Sequence, residues 1–193
     1  MTHSLIRHRE LWSTPLWEVD SGFDDEFNDR LIEDLTKINV NMAPGPTFNM
    51  WNQQGSANLD ALREKILEVT QECTGMQLRH TRSWVNHVEP GGKLTFHDHG
   101  GHLAVSYYMS TPENCGDLLL IDSRGSTNGW DNIQENSTSR KIDVANHVSN
   151  RKYVRVKPVV GRIVFFPTYV IHGVEPNFSG RTRIGLACNM ERV

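Results

Sequence analysis

Three histidines stand where their side chains could meet. His97 and His99 bracket Asp98 at the end of the apolar run Leu94-Thr95-Phe96-His97-Asp98-His99. A third, His172, follows Arg162-Ile163-Val164-Phe165-Phe166-Pro167, inside Ile171-His172-Gly173. In an extended strand, alternate side chains share a face. His97 and His99 would then project together and Asp98 the other way. Imidazole is the commonest metal ligand near neutral pH. Two imidazoles from one strand and one from a later strand make a three-ligand metal site with open positions, a form suited to reactive iron. Taken singly, each of the nine histidines is more often a surface or hydrogen-bonded residue, so the joint pattern carries the metal reading. Asp98 would replace His99 as ligand if a β-bulge reversed the local alternation. His102 is a further candidate, set off by Gly100-Gly101.

An arginine joins the set. Arg183 lies eleven positions after His172 and opens Arg183-Ile184-Gly185-Leu186-Ala187-Cys188-Asn189. Alternation puts Arg183, Gly185, Ala187 and Asn189 on one face, with Ile184, Leu186 and Cys188 on the other. A guanidinium beside small residues can receive a carboxylate in bidentate fashion. Arg181 shares this parity, nearer the Ser179-Gly180 turn, and is the alternative anchor.

The elements that must hold these groups are legible in outline. Phe23, Phe27, Leu31 and Leu35 fall at four-residue steps, with Asp24, Asp25 and Glu26 acidic where a first helical turn wants them. The spacing predicts a helix ending near Asn39 to Asn41, before Ala43-Pro44-Gly45-Pro46. A second helix is expected from about Leu59 to Cys73, capped by Ser56 or Asn58 and closed by Gly75. Both are expected to pack on a sheet and carry no chemistry. After Met76 short apolar runs alternate with turns: Ser83–His87, Leu94–His99, Ala104–Met109, Leu118–Asp122, Tyr153–Val156, Ile163–Phe166 and Ile184–Asn189. Strands at this spacing after helices predict a mainly β, jelly-roll barrel with a helical flank. The polar stretch from Ser123 to Asn150, with Trp130 inside it, is read as a lid or substrate loop.

Composition bounds the rest. A chain of 193 residues is most simply one domain, with residues 1–75 a helical flank and 76–193 the barrel. Folding at that size buries roughly 70% of the chain's surface, so a core without disulfides is feasible. A formal charge of -3, from 20 basic and 23 acidic side chains, argues against sequence-independent nucleic-acid binding. The basic run Arg151, Lys152, Arg155, Lys157 and Arg162 reads as a solvated strand face. Cys73, Cys115 and Cys188 are scattered and odd in number, which points to a reducing compartment. No signal segment and no run near the roughly 20 apolar residues of a membrane span is visible. The expectation is a soluble, cytoplasmic protein of open oligomeric state.

The order of these motifs resembles the 2-oxoglutarate- and Fe(II)-dependent oxygenases, in the branch found in bacteria and phages. The resemblance rests on His97-Asp98-His99, Tyr107-Tyr108, Val164-Phe165-Phe166-Pro167 with His172, and the strand from Arg183 to Asn189. Ser13-Thr14-Pro15-Leu16, the helix containing Leu31, and Ser83-Trp84-Val85-Asn86 extend it over most of the chain. It implies a double-stranded β-helix holding Fe(II) through His97, His99 and His172, with 2-oxoglutarate and O2 as cosubstrates. Arg183 would meet the far carboxylate, with Asn86 and Tyr107 as further cosubstrate contacts. The implied reaction is hydroxylation of a protein side chain or small molecule, with succinate and CO2 formed. Two departures stand out: His99 replaces the usual carboxylate, and Gly185 stands where many members carry Ser or Thr. The first leaves the centre more positive. It keeps open a three-histidine cupin dioxygenase or isomerase without a keto acid, which gives Arg183 no role, and a non-catalytic jelly-roll binding module.

Overall fold

The computed structural model describes residues 13–38, 49–53, 55–121 and 153–193. The expected lid, 123–150, lies outside them.

Helix α1 (Asp25–Lys37) starts where Asp24 accepts the Phe27 N–H at 2.8 Å, satisfying one of the donors a helix leaves free at its start. It buries Phe27, Leu31 and Leu35. It ends at Lys37, short of the predicted Asn39, with Ile38 as the closing residue. Helix α2 (Ala57–Thr74) is capped by Ser56, whose hydroxyl accepts the Leu59 N–H at 3.0 Å, and is closed by Gly75 in the left-handed region at φ +66°. Asn58 is therefore inside the helix. Its side chain and that of Ser56 both donate to Asp34 of α1, at 2.9 and 2.7 Å. Those two bonds hold the Asp34 carboxyl below the usual carboxylate range and join the two helices.

The strands among the described residues are β1 (Trp17–Asp20), β2 (Leu78–Val88), β3 (Leu94–His97), β4 (Leu103–Ser110), β5 (Leu118–Ile121), β6 (Tyr153–Val156), β7 (Arg162–Pro167), β8 (Ile171–Val174) and β9 (Arg183–Arg192). The sequence pattern did not reveal β1 or the first five residues of β2, and it placed His172 on a later strand without giving β8 its bounds. A five-stranded sheet runs in the order β1-β7-β4-β9-β2 and a four-stranded sheet in the order β3-β8-β5-β6. The pairings are antiparallel. The chain crosses from one sheet to the other as it winds, which makes the double-stranded β-helix of a jelly roll.

The five-stranded sheet is buried on both faces. Val85, Val105, Tyr107, Ile163, Phe165 and Leu186 pack with Leu31, Leu62 and Ile66 of the helices. Ala104, Tyr108, Val164 and Phe166 point the other way, toward Leu118, Leu120 and Val174 of the smaller sheet. This is why β4 and β7 read as unbroken apolar runs rather than alternating ones. Within the basic run, Arg155 pairs with Glu175 at 2.8 Å and Arg162 with Glu18 at 3.1 Å. No described helix is long and apolar enough to cross a membrane.

Ser56→Ala removes both the cap on Leu59 and one of the two donors to Asp34. It should lower the unfolding free energy by about 1–2 kcal/mol, the range of a lost N-cap. Urea denaturation reads this directly, and metal affinity should not change.

Candidate active site

His97 closes β3, and its cross-strand partner is His172 of β8. Antiparallel pairing alone brings these two imidazoles together, with ring centroids 4.5 Å apart. His99 lies two residues past the end of β3. What holds it is its backbone N–H, which donates to Thr168 O at 3.1 Å. Its ring sits 4.7 Å from His97 and 5.0 Å from His172. One ring nitrogen from each histidine falls in a group spanning no more than 4.8 Å. Asp98 is exposed and outside this group. His102 is also outside it, where its Nδ1 accepts the Arg192 N–H at 3.3 Å.

Two of the rings have their tautomer set by the backbone. His97 Nδ1 lies 2.7 Å from Thr95 O, and His172 Nδ1 lies 2.8 Å from Val170 O. A carbonyl only accepts, so Nδ1 carries the proton and Nε2 offers its lone pair, the usual outer support of a metal-binding histidine. Burial pushes the His172 imidazole down to about 4, the Val170 bond opposing and His97 adding to the effect. Burial, then His172 and His97, push His99 down to about 4 as well, with Asp98 opposing and Arg82 adding. Both are neutral at pH 7. Trp84 packs edge-on to His99 at 5.3 Å, and Phe166 to His172 at 4.9 Å.

The histidines line a cavity of about 430 Å3 between the two sheets, within the usual range for a small-molecule site. Arg183 also lines it, only 5% exposed. Its Nη1 donates to Gly116 O at 3.0 Å, and its guanidinium lies 5.2 Å from the centre of the Tyr108 ring. No carboxylate pairs with Arg183 among the described residues. A buried cation without a counter-charge is costly, so the cavity favours an anion at that end. The Tyr108 hydroxyl is buried without a hydrogen-bond partner. Burial pushes that phenol up to about 12, with Arg183 opposing, so it remains a donor. Asn86 lines the cavity from β2, opposite Gly185. At Gly185 a Cβ would stand 3.1 Å from Tyr107 O, so this position favours glycine.

The structure corrects one candidate. Tyr107 packs with the helices on the far face of the sheet, where its hydroxyl donates to Asn28 Oδ1 at 2.7 Å. Tyr108 faces the cavity instead. Alternation shows that the two tyrosines diverge, but both strand faces are apolar, so sequence cannot say which faces in. Arg181 is exposed and does not line the cavity. The cavity thus brings together His97, His99, His172, Arg183 and Asn86 and adds Tyr108, while Tyr107, also along its wall, turns its hydroxyl away to Asn28.

Residues 82–189 match the model of the family described as "Putative 2OG-Fe(II) oxygenase". The chain belongs to this family. It is a 2-oxoglutarate- and Fe(II)-dependent oxygenase, using both with O2. No protein of curated function matches the sequence. Among solved structures, the fold is similar to the viral collagen prolyl hydroxylase of Paramecium Bursaria Chlorella virus-1 in its 2-oxoglutarate complex. That likeness has a TM-score of 0.62 at 16% identity, over 92% of this chain and 96% of that one. HygX of Streptomyces hygroscopicus, with nickel, 2-oxoglutarate and hygromycin B bound, gives 0.63 at 12% identity, over 93% and 84%. A Pseudomonas putida prolyl-4-hydroxylase gives 0.60 at 13%, over 94% and 89%.

Acid should destabilise the metal-free oxygenase. His99 and His172 titrate near 4 when folded and near 6.5 when unfolded. Below about pH 6.5 the unfolded chain therefore binds more protons, and stability falls until about pH 4. His172→Gln should show a smaller loss of urea midpoint between pH 7.5 and pH 5 than the wild type; equal losses would contradict it. Tyr107→Phe should cost about 1 kcal/mol of stability for its lost buried bond and leave 2-oxoglutarate affinity unchanged. Tyr108→Phe should do the reverse, with binding isotherms and denaturation curves separating the two.

Proposed function

We propose that His97, His99 and His172 hold Fe(II), that Arg183 binds the distal carboxylate of 2-oxoglutarate, and that the enzyme hydroxylates a protein side chain or small molecule. The carrying observation is Arg183: a buried guanidinium without a carboxylate partner among the described residues, in the same cavity as three converging imidazoles. A jelly-roll module with structural histidines gives that cation no use, and nor does a three-histidine enzyme without a keto acid.

The donor set suits the metal. Nitrogen ligands accept iron readily, and the low proton affinity of His99 and His172 lets them ligate at pH 7 without releasing a proton. The carbonyls of Thr95 and Val170 hold the rings of His97 and His172 so that Nε2 faces inward. Arg183 supplies charge and a fork of donors to a carboxylate. Tyr108 offers a further donor that stays protonated at working pH, and Asn86 an amide. Trp84 and Phe166 pack against two of the rings. Iron and 2-oxoglutarate together supply the O2 activation, with the keto acid leaving as succinate and CO2. Four neutral or cationic groups and no carboxylate ligand leave the site positive, which a dianionic cosubstrate offsets. Cys115 and Cys188 are buried thiols and Cys73 is free, which suits a reducing, cytoplasmic setting. The reading takes residues 1–193 as one catalytic domain.

Anaerobic addition of Fe(II) and then 2-oxoglutarate should produce the weak visible charge-transfer band of a chelated iron, and admitting O2 should release succinate. Alanine at His97, His99 or His172 should strongly weaken iron binding. Full iron affinity in His99→Ala with loss in Asp98→Ala would transfer the ligand to Asp98. Arg183→Gln should raise the apparent KM for 2-oxoglutarate roughly a hundredfold, the scale of about 3 kcal/mol for stranding one partner of a buried charge pair, with iron affinity unchanged. The same defect appearing only in Arg181→Gln would move the anchor.

A further inference from the structure

The cavity has a second cation. Arg82 of β2, itself exposed, lines its rim on the same strand face as Trp84 and Asn86. No carboxylate lies within ion-pair distance of it among the described residues. Its place on the cavity face is built into the sheet. The ladder between β2 and β9 slips between His80 and Arg82, leaving Thr81 as an extra residue. Thr81 Oγ1 donates to Asn189 O at 3.1 Å, and Asn49 Nδ2 donates to Thr81 O at 3.0 Å, pinning the slip. Without it, His80 and Arg82 would share a face. With it, His80 turns to the helices, its Nε2 against Arg63 O, and Arg82 turns to the cavity. Bulges commonly re-aim a side chain beside an active site.

Opposite Arg82 on β9 is Asn189. It lines the cavity at 5% exposure, and its Oδ1 is buried with no hydrogen-bond partner. A buried acceptor left empty is expensive, so Asn189 is poised for a donor from outside the chain.

That ligand is not the keto acid. Asn189 lies six residues beyond Arg183 on one extended strand, about 20 Å at 3.4 Å per residue. A five-carbon dicarboxylate cannot bridge both ends. Trp84, packed on His99, pairs with Ala187 between them. The histidines therefore stand between two recognition ends, with Arg183 on one side and Arg82 with Asn189 on the other.

We propose that Arg82, Asn189 and the Trp84 ring form the recognition site for the prime substrate, and that this substrate carries a carboxylate beside an N–H donor. The inference rests on the assignment of iron and 2-oxoglutarate above. A lone guanidinium fork matches one carboxylate, Asn189 Oδ1 accepts the N–H, and the indole covers the apolar part between. An N-acylated amino acid supplies this chemistry, and so does an acidic side chain within a peptide.

The test uses the full chain loaded anaerobically with Fe(II) and 2-oxoglutarate, following the charge-transfer band. The probes are N-acetyl amino acids, and end-blocked peptides containing Asp or Glu, each beside its carboxamide counterpart. Carboxylate probes should shift the band and bind at least tenfold more tightly than the carboxamides. Arg82→Gln should erase that difference, Arg82→Lys should restore part of it, and Asn189→Asp should weaken carboxylates more than carboxamides. A response to the N-acetyl amino acids alone assigns a small substrate, and a response to the peptides alone assigns a protein one. Each result supports the carboxylate site. A band that forms but responds to no carboxylate probe, carboxamides that bind equally well, or unchanged affinities in Arg82→Gln would each overturn it. A band that never forms in the wild type would instead sink the iron and keto-acid assignment, and this inference with it.

Discussion

Burial of the five-stranded sheet on both faces governs the rest of the molecule. One face must meet the helices, so Val105, Tyr107, Phe165 and Leu186 are committed to that core. The alternate residues are then forced toward the smaller sheet, and any polar group among them becomes part of an interior. Ala104 and Gly185 are small and leave room there, while Tyr108, Arg183 and Asn189 fill the rest with polar atoms. The cavity is thus the unfilled part of a sandwich core. Its chemistry is set by which strand parity faces inward.

The interior is electrostatically one-sided. Buried Arg183 lines it, exposed Arg82 stands at its rim, and Asp98 lies outside the imidazole group. Burying Arg183 costs free energy until an anion meets it. The protein offsets part of that cost locally: Gly116 O takes one guanidinium N–H, and the Tyr108 ring lies beside the guanidinium. Gly116 itself sits at φ +86° against the backbone of Glu175, so a larger residue there would displace the carbonyl that steadies Arg183. Keeping His99 and His172 neutral avoids adding further positive charge to the same space.

The proposed replacement of a carboxylate ligand by His99 changes what the backbone must do. A carboxylate would neutralise part of the metal's charge wherever it reached the ion. An imidazole must be aimed, because its lone pair points along one direction. His97 and His172 are aimed by cross-strand pairing and by carbonyls two residues away. His99 lies past the strand and depends on Thr168 O and the edge of Trp84. Thr168 in turn donates its hydroxyl to Gly101 O at 2.7 Å, which ties the turn after His99 to the segment leading into His172.

The sequence by itself determined the two helices, most of the strands and the chemical inventory of the site. Helix caps, four-residue apolar steps and period-two runs are local signals. Asp24, Gly75 and the spacing of Leu31 and Leu35 needed nothing distant to be read. The convergence of His97 and His99 was also legible, although strand alternation explains it only in part, since His99 lies beyond the ladder. Tertiary structure alone decided which face of each strand is the interior. That choice separates Tyr108 from Tyr107, and apolar residues on both parities of β4 conceal it. It also decided the register of distant strands. Sequence cannot tell that His97 faces His172, that Arg82 faces Asn189, or that one extra residue at Thr81 turns His80 and Arg82 to opposite faces. Those pairings join residues seventy-five or more positions apart, where only the packing of the whole sandwich selects one register over its neighbours.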